Sequence, residues 1–119
     1  QLLRTYITAR DDLEPVPARE LMQRAKQGLV TVVDVRPAEE YAAGHVPGAI
    51  NVTLDALSSH LRRLPKGREV IAYCRGPYCL LSVDAVAMLR DKGYQARRME
   101  DGFPEWKAAG MPVEETSLD

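Results

Sequence analysis

The chain has 119 residues, 45% hydrophobic and 28% charged, the size and make-up of one globular domain with a single core. Sixteen Lys and Arg stand against 17 Asp and Glu for a net charge of -1, so no basic excess calls for direct nucleic-acid binding by this segment. No apolar run reaches the roughly 18 residues that a membrane span needs, and the opening "QLLRTYITARDDLEPV" has no signal-peptide pattern. The chain begins on Gln1 without an initiator Met, and residues 1–13 read as a linker or the tail of a preceding helical domain. The domain proper is expected over 14–119.

"PARELMQRAKQG" (17–28) reads as a helix, with Pro17 in the first turn, Leu21 and Ala25 on one face and Gly28 as its stop. "LVTVVDVR" (29–36) is a β-branched run of the kind that forms a buried strand. "PAEEYAAG" (37–44) is a short helix between Pro37 and Gly44, and "HVPGAINV" (45–52) is a turn followed by a short apolar stretch. "TLDALSSHLRRLP" (53–65) sets Leu54, Leu57, Leu61 and Leu64 on one helical face, with Thr53 as its cap and Pro65 as its end. "EVIAY" (69–73) is a second buried strand. "LLSVDAVAMLRDKG" (80–93) is a helix apolar over most of its circumference, which predicts that it is largely buried. "YQARRM" (94–99) is a candidate strand and "FPEWKAAG" (103–110) a last short helix. Strands alternating with helices through short connections predict an α/β domain, with an open, mainly parallel sheet flanked by helices.

The chemistry concentrates in "VIAYCRGPYCLL" (70–81). Ligands of open α/β sheets bind at the carboxyl ends of strands, and Cys74 stands there, directly after Tyr73. The loop Arg75–Cys79 curls toward a helix expected to start near Leu80. Its backbone N–H groups and the helix N-terminus favour a thiolate or a bound oxyanion. Gly76 gives the loop backbone freedom. Arg75 supplies a fixed positive charge for an anionic group. Pro77 removes one N–H but stiffens the loop. Tyr78 lines the mouth or simply packs. The bland reading of Cys74 is a buried packing cysteine, but its place between strand and helix favours a nucleophile. Cys79 either packs at the helix start or resolves and relays sulfur. The spacing of Cys74 and Cys79 with His45 or His60 matches no zinc pattern, so no metal is expected. The two thiols close too short a loop for a disulfide scaffold, which points to a reducing, cytoplasmic compartment.

At the same sheet edge, Asp34 and Arg36 end the first strand. They read as supporting residues, an ion pair with Glu40 that fixes the corner, with Arg36 also placed to help hold the loop or donor. His45 reads as a structural hydrogen-bonding residue, His60 as a surface residue and Trp106 as core.

Three segments, "DVRPAEEYAAGHVPGAINV" (34–52), "VIAYCRGPYC" (70–79) and "EDGFPEWKAAGMPV" (100–113), resemble the rhodanese family in order and spacing. The resemblance implies about five parallel strands and sulfurtransferase chemistry without a cofactor. Cys74 would be the persulfide-carrying nucleophile. Arg75, Gly76, Pro77, Tyr78, Cys79 and Leu80 would form the substrate loop. The partners implied are a small sulfur-containing anion or persulfide as donor and a thiol as acceptor. The loop departs from the frequent Cys-Arg-x-Gly-x-Arg-Ser pattern: Pro77, Cys79 and Leu80 replace Gly, the second Arg and Ser. That loses one charge and one hydroxyl and weakens the fit to thiosulfate. Asp101 likewise replaces one of two glycines. "CRGPYC" followed by an apolar helix and preceded by "ARDDLEPV" is most similar to the rhodanese domain fused behind ArsR-type winged-helix repressors, which implies a DNA-binding domain ahead of this one. Sulfur transfer is the main reading. The alternative is a reactive-sulfur or redox sensor with little turnover. A cysteine phosphatase on the related fold needs an Arg six residues after Cys74, where this chain has Leu80.

Overall fold

The computed structural model describes residues 15–61, 64, 67–75 and 80–116. The expected linker at 1–13 lies outside them. The order is α1 (Ala18–Lys26), β1 (Val30–Asp34), α2 (Ala38–Ala43), β2 (Ile50–Asn51), α3 (Leu54–His60), β3 (Glu69–Tyr73), α4 (Leu80–Asp91), β4 (Ala96–Arg98) and α5 (Phe103–Ala108). The strands form one sheet in the order β2-β1-β3-β4, all parallel. A single parallel bridge between Val16 and Met99 extends it beyond β4. Among the described residues the sheet therefore has four strands and this bridge, where the resemblance implied about five strands.

Buried on both faces, β1 and β3 have nothing to gain from polar alternation. All five residues of β1 are buried, as are the last four of β3. Side chains still alternate between the faces. Val33, Val35, Val70, Ala72 and Cys74 join Leu57 of α3 and Ala85, Val86 and Leu89 of α4 in one layer. Val30, Val32, Ile71 and Tyr73 join Leu21 of α1 and Phe103 and Trp106 of α5 in the other. Cys74 thus continues the α4-side row of β3, one residue past the strand.

Two helices differ from their expected form. Thr53 stands in the cap position of α3, but its side chain makes no capping hydrogen bond. The helix stops at His60, yet Leu64 beyond it remains buried in the α4-side layer. In α4, Ser82, Ala85, Val86 and Leu89 are buried, while Val83, Asp84 and Ala87 are exposed. It is a surface helix with one buried face, because the sheet covers only one side of it. Among the described residues no helix is long and apolar enough to cross a membrane.

Candidate active site at the carboxyl edge of the sheet

The parallel register places Asp34 beside Tyr73, so the ends of β1 and β3 meet at one edge. Backbone bonds then fix Cys74. The Val35 N–H donates to the Tyr73 carbonyl at 3.2 Å, and the Phe103 N–H donates to the Cys74 carbonyl at 2.9 Å. Cys74 is only 1% exposed and is disulfide-bonded. Gly76, Pro77, Tyr78 and Cys79 lie outside the described residues, as does the side chain of Leu80, whose backbone opens α4.

Under this edge lies a buried polar cluster. Asp34 is 0% and Arg36 is 4% exposed. Arg36 donates from Nη2 to Asp34 Oδ2 at 2.7 Å and from Nε to both carboxylate oxygens at 3.1 Å. It also donates from Nη2 to the Gly44 carbonyl. Its guanidinium carbon lies 4.3 Å from the Phe103 ring centroid and 5.6 Å from that of Tyr73, a cation–π stack. Burial works against the Arg36 charge, but the Asp34 carboxylate outweighs it and the pKa rises. The Tyr73 hydroxyl donates to Asp34 Oδ2 at 2.6 Å and accepts from the Val46 N–H at 3.0 Å. Burial, followed by the Asp34 charge, pushes the Tyr73 phenol far above its ordinary pKa. Asn51 Nδ2 donates to the carbonyls of Asp34 and Arg36, tying β2 to the same corner. Arg36 packs on Tyr73 and Phe103, in the layer opposite the one that holds the Cys74 side chain.

Glu40, expected in this cluster, turns elsewhere. Arg75 donates from Nε to both Glu40 carboxylate oxygens at 2.9 Å, and its Nη2 also meets Oε2. The hydrogen bond from Arg75 lowers the Glu40 pKa, and the same contact raises that of Arg75. Local spacing suggests Arg36 as the partner of Glu40, four residues on; only the fold brings Arg75 to it.

Each histidine places Nδ1 against the backbone carbonyl four residues before it. His45 is 1% exposed, stacks on Tyr41 with ring centroids 3.7 Å apart, and places Nδ1 2.7 Å from the Tyr41 carbonyl. His60 Nδ1 lies 2.8 Å from the Ala56 carbonyl on its own helix. Trp106 is buried, and its indole N–H donates to the Pro112 carbonyl. A cavity of about 570 Å³, lined by Glu69, Arg90 and Arg97 among others, opens at the amino ends of β3 and β4, away from Cys74.

Four likenesses to known proteins bear on this architecture. A curated relative, the HTH-type transcriptional regulator Rv0324 of Mycobacterium tuberculosis (strain ATCC 25618 / H37Rv), is 48% identical over 102 residues, 86% of this chain and 45% of its own length. The chain therefore spans under half of that regulator. A second relative is named Sulfurtransferase, from Allochromatium vinosum. It is 31% identical over 85 residues, covering 71% of this chain and 78% of its own. The crystal structure of the BH2092 protein from Bacillus halodurans superposes with a TM-score of 0.82 at 28% identity, over 97% of this chain and 85% of the other. The Rhodanese-like domain profile matches residues 17–109, most of the chain. A cysteine at the carboxyl end of a central parallel strand, ahead of a helix, thus stands in a chain that belongs to the rhodanese-like domain family.

Proposed function

We propose that the domain transfers a sulfane sulfur through a persulfide on Cys74. The observation that carries the reading is the position of Cys74: at the carboxyl end of β3, with its carbonyl held by α5, directly ahead of the loop that leads into α4. The Cys74 thiolate attacks the outer sulfur of the donor. A new S–S bond forms, the donor's S–S bond breaks, and its electron pair leaves with the departing group: a thiolate from a persulfide, or sulfite from thiosulfate. An acceptor thiolate then attacks the outer sulfur of the Cys74 persulfide and restores the thiolate. The loop 75–80 would surround the transferred sulfur, with its N–H groups and the α4 N-terminus stabilising the anion. Asp34 and Arg36 support this loop from below by fixing the edge on which it stands. Turnover needs Cys74 as a thiol, which suits a reducing, cytoplasmic setting.

A second reading has one specific observation in its favour. Cys74 is disulfide-bonded in the structure, which suits a sensor whose signal is the oxidation state of this thiol. The regulator relative supports a setting behind a fused DNA-binding domain. Intact-mass analysis of the reduced protein after exposure to polysulfide tests the main reading. One sulfur gained and mapped to Cys74 is the expected result. No gain, or a gain that persists in Cys74→Ser, overturns it.

A further inference from the structure

We infer that the basic cavity at the amino ends of β3 and β4 is the seat of this chain's own acidic segment Asp11–Glu14, laid along β4 in the register of the Val16–Met99 bridge. Every wall of the cavity belongs to described residues, Glu69, Arg90, Gln95 and Arg97 among them. Its charge is one-sided. Glu69 takes two arginines: Arg97 donates from Nε and Nη2 to its two oxygens, and Arg24 donates from Nη1 to Oε1. Arg90 adds a third, donating from Nε to the Ala96 carbonyl at 2.8 Å, an acceptor without charge. Glu20 stands 3.6 Å from Arg24 as the second acid. Exposed Arg68 and Lys92 at the same edge outnumber exposed Asp91, so positive charge prevails. The connection into β3 adds Arg62, Arg63 and Lys66 in sequence and no acid before Glu69.

The segment ahead of Pro15 reads Asp11-Asp12-Leu13-Glu14 and lies outside the described residues. Two backbone bonds set its path. The Val16 N–H donates to the Arg98 carbonyl and the Glu100 N–H to the Val16 carbonyl, a parallel bridge on the side of β4 away from β3. Parallel direction means that the residues before Val16 run back toward the amino end of β4. At about 3.3 Å per residue, Glu14 falls beside Arg97, Leu13 beside Ala96 and Asp12 beside Gln95. The chemistry agrees at each position. Arg97 shares a sheet face with Met99, and Met99 and Val16 belong to the layer of α1 and α5, so Glu14 would meet a guanidinium. Ala96 belongs to the α4-side layer, so Leu13 would meet apolar groups. A slip of one residue would put Leu13 on the charge and Glu14 on the core. Pro15, next to a residue that faces β4, faces away, where a missing N–H costs nothing.

The filled cavity is then an anchor: whatever precedes Asp11 joins the domain at the sheet edge opposite Cys74. The test is amide hydrogen exchange on the 119-residue chain, resolved by residue through NMR. In this register the Glu14 N–H faces β4 and the Leu13 N–H faces away. Glu14 should exchange at least about tenfold slower than an unstructured peptide of the same sequence, and Leu13 should not. The protection should shrink as salt rises from about 0.05 to 0.5 M, as contacts between exposed charges do. Glu14→Lys and Leu13→Asp should each cut it about three- to tenfold while β1 and β3 keep theirs. Protection at Leu13 in place of Glu14, or protection that survives both substitutions, overturns the proposal. So does exchange of both amides at the free-peptide rate; binding of inorganic phosphate or duplex DNA by such a chain would then assign the cavity to a free anion.

Discussion

The Tyr73 hydroxyl donates a 2.6 Å hydrogen bond to Asp34 Oδ2, joining the ends of β1 and β3 at the sheet edge that carries Cys74. The Tyr73 hydroxyl oxygen in turn accepts from the Val46 N–H. Tyr73→Phe removes both bonds and leaves the Val46 amide and one Asp34 lone pair without partners. The expected loss of folding stability is about 1–3 kcal/mol, read by urea denaturation. The pH dependence has a definite sign. The folded-state pKa of this phenol is raised, so its contribution is complete below the ordinary phenol value of about 10 and falls as pH rises above it. Tyr73→Phe should therefore flatten part of the alkaline loss of stability. An alkaline slope identical to wild type would contradict this.

Asp34→Asn leaves the Arg36 guanidinium buried without its counter-charge. Breaking one side of a buried pair costs about 3–5 kcal/mol. Chemical denaturation should show a loss of this size, with activity falling as the edge loosens. A loss under about 1 kcal/mol, the range of a surface pair, would mean that the cluster does not hold the corner.

Gly44 tests the packing of the same corner. Its φ of 169° is extended backbone that any residue adopts. A Cβ there would stand 3.2 Å from Phe103 Cζ and from Val113 Cγ1. Phe103 cannot retreat without disturbing Arg36, on which it stacks. Gly44→Ala should cost about 1–3 kcal/mol through overpacking, and thermal unfolding checks it. A neutral result would show that the ring has room to give.

The disulfide at Cys74 makes a redox prediction. Protein kept under oxidising conditions should accept no sulfur, and thiol reduction should restore acceptance in full. Equal sulfur uptake before and after reduction would mean that another group carries the sulfur.

The strands were legible because β-branched runs such as "TVVDV" and "EVIAY" leave little choice but burial. The helix at 53–65 was legible in its leucine face and wrong in its length: Leu64 stays buried by packing after α3 has ended at His60. Apolar residues in α4 did not translate into burial all round, since Val83 is 43% exposed. The place of Cys74 directly after β3 and the pairing of Asp34 with Arg36 at the end of β1 could be read from the sequence. The Glu40–Arg75 contact could not, since it spans 35 residues and depends on how α2 faces the start of the loop. Tyr73, read as the end of a buried strand, gave no local sign that its hydroxyl would bond Asp34.

Sulfur passing through Cys74 is tested most directly by a chase. Reduced protein is loaded with isotope-labelled persulfide sulfur, freed of donor, and mixed with a thiol acceptor while the label on the Cys74 peptide is followed by mass spectrometry. The label should leave Cys74 and appear on the acceptor at least as fast as the protein turns over in steady state. Label that stays on the Cys74 peptide throughout exposure to the acceptor would contradict the transfer mechanism.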